Sequence, residues 1–200
     1  MTLADGGTFP QVPQDLHVHT TFSHGDGAVV PEQTVALVAQ LRHARVQGIS
    51  DHLEFVHGKS FEAYSTTIRR HGLHVGVEVN AGAWVPAALE IDVDYYIVHC
   101  FDTDEDYEGV ERLVETAKPV ILAHPLFIGT DLDRVPSECL VELNNRYVWR
   151  SDWRAGFRDY LDRFRFVIGS DAHQPHWLNQ NVARRVAAAL GVKETILFES

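Results

Sequence analysis

The sequence of 200 residues predicts a single α/β domain that is built on a parallel β-sheet. Short apolar segments typical of strands alternate along the chain with amphipathic segments typical of helices. The apolar segments lack a strict alternation of apolar and polar residues, as expected for strands buried on both faces. The hydrophobic fraction of 45% and the charged fraction of 22% are those of an ordinary compact protein.

The strands and helices can be placed in order along the chain. Strands are predicted at residues 15–20, 48–53, 74–79, 95–100, 120–124, 140–144 and 166–170. Helices are predicted at residues 31–47, 61–71, 84–89, 104–117, 151–163 and 179–190. Apolar residues recur at helical spacing in the longer helices, Pro31 and Ser151 suit helix starts, and Gly48, Gly72 and Gly191 suit helix ends. The last residues, 193–200, are predicted to add a short strand or to lie over the domain.

The net charge of the chain restricts the kinds of partner that it is expected to bind. There are 17 Lys and Arg residues against 28 Asp and Glu residues, and the net charge of −11 argues against a long nucleic acid as partner, as does the absence of basic clusters from the sequence.

The two cysteines, Cys100 and Cys139, form no disulfide framework and are predicted to be packing residues. Residues 1–14 are predicted to be a loose leader without signal-peptide character, and no apolar run is long enough for a membrane helix. We therefore expect a cytoplasmic protein, and nothing in the sequence decides its oligomeric state.

Histidine is unusually frequent, with 12 residues against one Met. Residues of metal-ligand type stand at the ends of six of the seven predicted strands: His17 and His19, Asp51 and His52, Glu78, His99, His124, and Asp171 and His173. The carboxyl ends of the strands in a β/α barrel are where functional residues collect. Strand alternation also places His17 and His19 on one side, with Val18 facing the helices. One such histidine is a weak signal, but the whole set predicts a metal centre.

The patterns alone leave two architectures open, a closed β/α barrel and an open doubly wound sheet. The sequence has no glycine-rich phosphate loop of the G-x-G-x-x-G or G-x-x-x-x-G-K type, so an ordinary nucleotide-binding fold is less favoured.

The segment Asp-Leu-His-Val-His-Thr-Thr-Phe-Ser-His-Gly-Asp-Gly at residues 15–27 resembles the first motif of the PHP family, named for polymerase and histidinol phosphatase. Residues 50–52, 76–80, 97–99, 123–125 and 169–173 are similar to the later motifs, in the same order. The resemblance covers about residues 15–191. It implies a distorted, seven-stranded, TIM-like β/α barrel over residues 15–200, with two or three divalent metal ions (Zn, Mn or Fe) at its mouth.

The resemblance also implies which residues bind the metal ions. The first ion would take His17, His19, Glu78 and Asp171, and the second would take His99 and His124 and share Glu78 as a bridge. The third would take His24, His52 and His173. His24 departs from the family's pattern, because many members carry Asp in the corresponding Ser-Asp-Gly.

The resemblance implies metal-dependent hydrolysis of a phosphoester, and the set of ligands permits it, because bridged metal ions convert a bound water to hydroxide near neutral pH. Glu78 and Asp171 are the predicted catalytic residues. Arg146 follows the sixth strand and is predicted to hold phosphate oxygens, with Lys59 and His176 as further substrate-binding candidates. The expected substrate is a small phosphorylated metabolite or a nucleotide.

Three alternatives stay open. A metal-dependent amidohydrolase also begins with His-x-His on a barrel strand, but it normally has eight strands and a longer chain. A nuclease acting on short oligonucleotides is compatible with the same ligands. A metal-binding regulatory barrel without turnover is the third alternative, although no ligand of the set is missing.

Overall fold

The computed structural model describes residues 11–199, which form one sheet of seven parallel strands in the order of the sequence. The strands are β1 (Val12–Asp15), β2 (Ala44–Ile49), β3 (His74–Asn80), β4 (Tyr95–His99), β5 (Val120–Leu122), β6 (Leu140–Asn144) and β7 (Arg165–Gly169). The sheet nearly closes on itself where Val18 pairs with Ala172 and the amide of His19 donates to the carbonyl of Ala172 at 2.9 Å. The predicted distorted barrel is therefore confirmed, and the open doubly wound sheet is excluded.

Within residues 11–199, eight α-helices lie between the strands or after the last one. They are α1 (Val35–Leu41), α2 (Leu53–Val56), α3 (Ser60–Arg70), α4 (Ala81–Ala88), α5 (Asp104–Val114), α6 (Pro125–Ile128), α7 (Trp153–Arg158) and α8 (Asn181–Leu190). The start of α5 is fixed by a capping box between Thr103 and Asp106. In the part of the chain that the structure describes, no helix has the length and apolar character needed to cross a bilayer.

The apolar side chains form two cores. The larger core fills the space between the strands and the helices and includes Val18, Ala172 and both cysteines. Burial raises the pKa of Cys100 to about 11 and that of Cys139 to about 12, which fits the packing role predicted for these residues. The smaller core lies inside the barrel and includes Tyr95, among others.

The C-terminal segment covers the end of the barrel where the strands begin. Leu197 and Phe198 pack against the inner core, and the ring of Phe198 stacks on that of His74 at 4.1 Å. Glu194 forms a single bridge with Phe166, and the amide of Leu197 donates to Gln14 Oε1 at 3.1 Å. Residues 193–199 therefore lie over the barrel, as predicted, with one strand-like contact.

The predicted boundaries are wrong in the first quarter of the chain. The expected helix 31–47 is two elements, because Arg42 adopts a left-handed conformation (φ 46°) after α1 and β2 begins at Ala44. The first strand is Val12–Asp15 instead of residues 15–20, with only an isolated bridge at Val18, so residues 12–14 belong to the barrel and not to a leader. Residues 1–10 lie outside the described part of the chain.

The helix predicted at 151–163 is also shorter, and its cap is different. The Ser151 hydroxyl donates to the carbonyl of Val148 at 3.1 Å and so closes the preceding turn. Asp152 caps α7 instead, because its carboxylate accepts from the amide of Ala155 at 3.3 Å.

Helices α4 and α5 approach each other closely at Gly109. A β-carbon at this position would lie 2.5 Å from the carbonyl oxygen of Ala81 and 3.1 Å from Val85 Cγ2. The first of these atoms is a backbone atom and cannot easily move away. Gly109→Ala should therefore reduce the free energy of unfolding by about 1–3 kcal/mol, although alanine has a higher helix propensity than glycine. Urea denaturation measures this loss. Gly27→Ala is the control, because a β-carbon at Gly27 meets nothing within 4 Å; equal stability of the two variants would contradict the close approach.

Candidate metal centre

Glu78 is the centre of the polar cluster at the mouth of the barrel. It lies near the end of β3 and is only 2% exposed. Its Oε1 is 2.8 Å from His99 Nε2 and 3.1 Å from His17 Nε2. Its Oε2 is 2.9 Å from His52 Nδ1 and 3.4 Å from His19 Nε2. One carboxylate therefore contacts four imidazoles, which is an arrangement suited to a ligand shared between metal ions.

Asp171 completes the side of the cluster formed by the first and last strands. Its Oδ1 is 3.6 Å from His19 Nε2 and 3.8 Å from His17 Nε2. Its Oδ2 is 3.9 Å from His124 Nε2. His17 and His19 face the same point, with 3.2 Å between their Nε2 atoms, as the strand alternation predicts.

A third group of imidazoles lies beside the first. The ring of His19 is 4.5 Å from that of His52 and 4.2 Å from that of His173. Asp26 Oδ2 is 2.8 Å from His173 Nε2 and 3.3 Å from His52 Nε2. Asp26 therefore supplies the carboxylate of this group, and the sequence analysis did not select it.

His24 is not brought into the cluster. Its side chain is exposed, its Nδ1 lies 3.1 Å from the carbonyl oxygen of Phe22, and its ring packs 5.2 Å from that of Phe55. The reason is a turn within the first motif that is fixed by the buried carboxylate of Asp51. Asp51 accepts from the Ser23 hydroxyl at 2.7 Å. This turn directs Asp26 inward and leaves His24 in solvent, so the expectation that His24 joins His52 and His173 is corrected to Asp26.

Three groups of side chains could hold metal ions: His17, His19 and Glu78; Glu78, His99 and His124; and His19, His52 and His173. The spacing of the nitrogens fits such ions. The Nε2 atoms are 3.2 Å apart in His17 and His19 and 3.1 Å apart in His99 and His124. Two nitrogens that bind one tetrahedral zinc ion at the usual bond length are about 3.3 Å apart. Among the described residues, His19 Nδ1 and His124 Nδ1 are buried without a hydrogen-bond partner, so the protein alone does not satisfy these rings.

The electrostatic environment favours the ligand form of two histidines. Burial, together with the neighbouring His173, lowers the pKa of His19 well below its usual value. Burial and the neighbouring His99 likewise lower the pKa of His124. Both rings are therefore neutral at physiological pH, which is the form of imidazole that binds metal ions. Burial opposes the charged form of Glu78, but the surrounding imidazoles outweigh it and lower the pKa of this carboxyl, which stays ionised.

Glu142 is a second residue that the sequence analysis missed. It is buried in β6, the one strand that was predicted to end without an obvious metal ligand. Its Oε1 lies 2.8 Å from His17 Nδ1, and its Oε2 accepts from the amide of His124 at 3.0 Å. A carboxylate on Nδ1 orients the imidazole and leaves its Nε2 directed at Glu78, which is a common arrangement around protein metal sites.

Two of the clustered residues have an unusual backbone. His124 (φ 31°) and Asp171 (φ 53°) both adopt the left-handed conformation. For residues other than glycine this costs about 1–3 kcal/mol and is found mainly at functional sites. The contacts that hold it are the bond from the His124 amide to Glu142 and a bond of 2.8 Å from the Asp171 amide to the carbonyl of His17.

The structure separates the three substrate-binding candidates. Arg146 lies at the cluster, because its Nη1 is 3.3 Å from His173 Nδ1 and 3.7 Å from Asp171 Oδ1. Lys59 is exposed at the start of α3. His176 is exposed, and its ring packs against Trp177 at 5.9 Å. Arg146 is therefore the candidate whose position best fits the predicted role.

Comparison with known proteins adds little to this geometry. No family model and no curated protein matches the sequence. Among the solved structures, one similar chain is the truncated form of 3-deoxy-D-arabino-heptulosonate 7-phosphate synthase from Thermotoga maritima. It is 12% identical, and the match covers 96% of the present chain and 77% of that chain with a TM-score of 0.49. A likeness this weak carries no argument about activity, and the resemblance to the PHP family stays a prediction.

Proposed function

We propose that this protein is a metal-dependent phosphoesterase of the kind that the resemblance to the PHP family implies. The observation that carries the proposal is the buried carboxylate of Glu78, which contacts four imidazoles from three separate segments of the chain. The ligands of two or three divalent ions would be His17, His19, Asp26, His52, Glu78, His99, His124, Asp171 and His173.

The side chains around this site have separate tasks in the proposed reaction. Divalent ions, when bound, supply an activated water and offset the charge of the phosphoryl oxygens. Glu142 fixes the ring of His17, so that Nε2 points at Glu78 before any substrate arrives. Arg146 places a guanidinium beside Asp171 and His173, where it can hold phosphate oxygens. The proposed substrate is a small phosphorylated molecule that fits this mouth.

The test is turnover of phosphoesters by protein that has been stripped of metal and reloaded separately with Zn²⁺, Mn²⁺ or Fe²⁺. We expect hydrolysis of p-nitrophenyl phosphate or bis-p-nitrophenyl phosphate that requires metal, stops with a chelator and returns on reloading. A panel of phosphorylated metabolites then identifies the preferred ester. Metal binding without turnover of any phosphoester would favour the regulatory barrel, and hydrolysis of amides alone would favour the amidohydrolase.

The roles of Asp26 and His24 can be separated with a pair of variants. Asp26→Ala should lower the metal content by up to one ion per chain, because it removes the carboxylate that contacts His52 and His173. His24→Ala should keep the full metal content, since its side chain is exposed. Inductively coupled plasma mass spectrometry of the purified proteins measures both. The reverse result, loss of metal in His24→Ala alone, would restore the original expectation for His24.

A further inference from the structure

Asn144, the last residue of β6, forms hydrogen bonds through both ends of its side-chain amide. The residue is buried. Its Nδ2 donates to Glu142 Oε2 at 2.8 Å and to Asp171 Oδ2 at 3.2 Å. Its Oδ1 accepts from the backbone amides of Arg146 at 2.9 Å and Tyr147 at 3.1 Å. The side chain of asparagine offers two hydrogens and two lone pairs, so these four bonds use its full capacity.

The amino group of Asn144 lies between two buried carboxylates. Glu142 and Asp171 are both almost completely buried, and each receives one of the two N–H hydrogens. The opposite orientation of the amide would place its oxygen against both carboxylates and its amino group against two donating backbone amides. The direction of the donors is therefore fixed by the surroundings. A neutral donor in this position also offsets the repulsion between two like charges in the interior of the protein.

These bonds divide the two oxygens of each carboxylate between different neighbours. In Asp171, Oδ2 accepts from Asn144. Its Oδ1 is directed to the first group of imidazoles, 3.6 Å from His19 Nε2 and 3.8 Å from His17 Nε2. In Glu142, Oε2 accepts from Asn144, and Oε1 lies 2.8 Å from His17 Nδ1. Asn144 therefore turns one oxygen of each carboxylate toward the ring of His17.

The other end of the Asn144 side chain is anchored by the loop that follows β6. The backbone amides of Arg146 and Tyr147 both donate to its Oδ1, so the side chain is held in place independently of the carboxylates. A donor that is fixed by the backbone can orient a metal ligand before any ion binds.

We propose that Asn144 is a positioning residue of the metal centre, which presents Asp171 to the first ion through Oδ1. The proposal rests on the proposed function and deepens it, because Asn144 contacts the carboxylates of the site and would not itself bind an ion. Hydrogen-bond partners that orient metal ligands contribute about 10- to 100-fold to metal affinity or activity. The effect of Asn144 should therefore depend on the presence of the Asp171 carboxylate, whereas a general contribution to stability should not.

A double-mutant cycle on Zn²⁺ affinity measures this dependence and does not rely on turnover. The parent, Asn144→Ala, Asp171→Asn and the double variant are stripped of metal and titrated with Zn²⁺ in competition with a chromophoric chelator. Asn144→Ala should weaken Zn²⁺ binding by about 10- to 100-fold. The loss in the double variant should be at least about 2-fold smaller than the product of the two single losses, as for residues in one hydrogen-bond network.

Asn145→Ala is the matched control, because it removes the same side chain one position further along. In the part of the chain that the structure describes, the Asn145 side chain bonds to Asn179 and to the amides of Val182 and Ala183 at the start of α8, and not to the cluster. This variant should lose some stability and keep the parental Zn²⁺ affinity to within about 2-fold. Circular dichroism checks folding. If Asn144→Ala does not fold, Asn144→Ser, which keeps a polar group against the buried carboxylates, takes its place in the cycle.

Three results would overturn the proposal: parental Zn²⁺ affinity in Asn144→Ala, a loss in the double variant equal to the product of the single losses, or an equal loss in Asn145→Ala. The proposed function is judged separately by hydrolysis of p-nitrophenyl esters. If the parent hydrolyses these esters and Asn144→Ala binds Zn²⁺ as the parent does, the positioning proposal fails and the function stands. If the Zn²⁺ cycle gives the expected result and the parent hydrolyses no ester, the positioning proposal stands and the function fails.

Discussion

Glu78→Gln is expected to reduce kcat/KM for phosphoesters by at least about 100-fold, the scale seen when one preorganised charge is removed from an active site. The amide has nearly the same shape, so the fold should be kept. It carries no negative charge, however, and it cannot serve two cations as the carboxylate does. The carboxylate oxygens lie 2.8 Å from His99 and 2.9 Å from His52. Loss of the negative charge should therefore affect the cluster on the side of His99 and on the side of His52. Metal analysis should show lower occupancy in the two groups that share Glu78.

Glu138→Gln is the matched control, since it makes the same chemical change at an exposed position on the loop before β6. Circular dichroism should show both variants folded. Parental activity and metal content in Glu78→Gln would mean that this residue is not a shared ligand, and the proposal for the whole site would lose its main support.

Arg146→Ala is expected to lower kcat/KM by about 10- to 150-fold, the equivalent of one charge-assisted hydrogen bond to phosphate. The metal content should not change, because the guanidinium contacts ligands without being one. Steady-state kinetics with a small phosphoester, together with metal analysis, measures both quantities.

Lys59→Ala is the control for this experiment, because it removes a positive charge that is exposed at the start of α3. It should retain the parental kcat/KM. If Arg146→Ala loses metal instead, the residue serves to hold Asp171 and His173 in place. If Lys59→Ala loses activity and Arg146→Ala does not, the phosphate is held on the side of α3.

The clustering of residues at the strand ends could be predicted because the strands themselves are visible in the local sequence pattern. Short apolar segments fixed the order of the strands, and the parallel sheet brings their carboxyl ends together. Side chains alternate in direction along a strand. This alternation correctly predicted that both imidazoles of His17 and His19 lie in the cluster and that Val18 lies in the helix-facing core. Eight of the nine residues selected as metal ligands meet in this way, all except His24.

Asp26 and Glu142 were harder to find, for different reasons. The direction of Asp26 depends on a turn in which Asp51 holds Ser23, a contact across 28 positions that no local pattern shows. Glu142 did leave a signal, since it is an acidic residue between Val141 and Leu143 in an apolar strand. A buried carboxylate needs a partner, and that requirement could have directed attention to it.

The error in the helix 31–47 has a backbone cause. Residues 42–47 continue an amphipathic spacing that suits a helix, but Arg42 turns the chain through a left-handed conformation without the usual glycine. The choice between helix and strand for 44–49 was then decided by pairing with β1 and β3, which is a tertiary effect.

At His124 and Asp171, the left-handed backbone sets stability against the metal centre. Directed evolution toward heat resistance would meet this conflict. Glycine at either position would relieve a conformation that costs about 1–3 kcal/mol, and asparagine would tolerate it better. Either change would remove an imidazole or a carboxylate from the cluster. A screen for residual folded protein in the presence of a chelator should therefore collect inactive variants at these two positions. The same screen run with excess divalent metal should keep the native residues, because a ligand that binds only the folded state adds to its stability in proportion to the logarithm of its concentration.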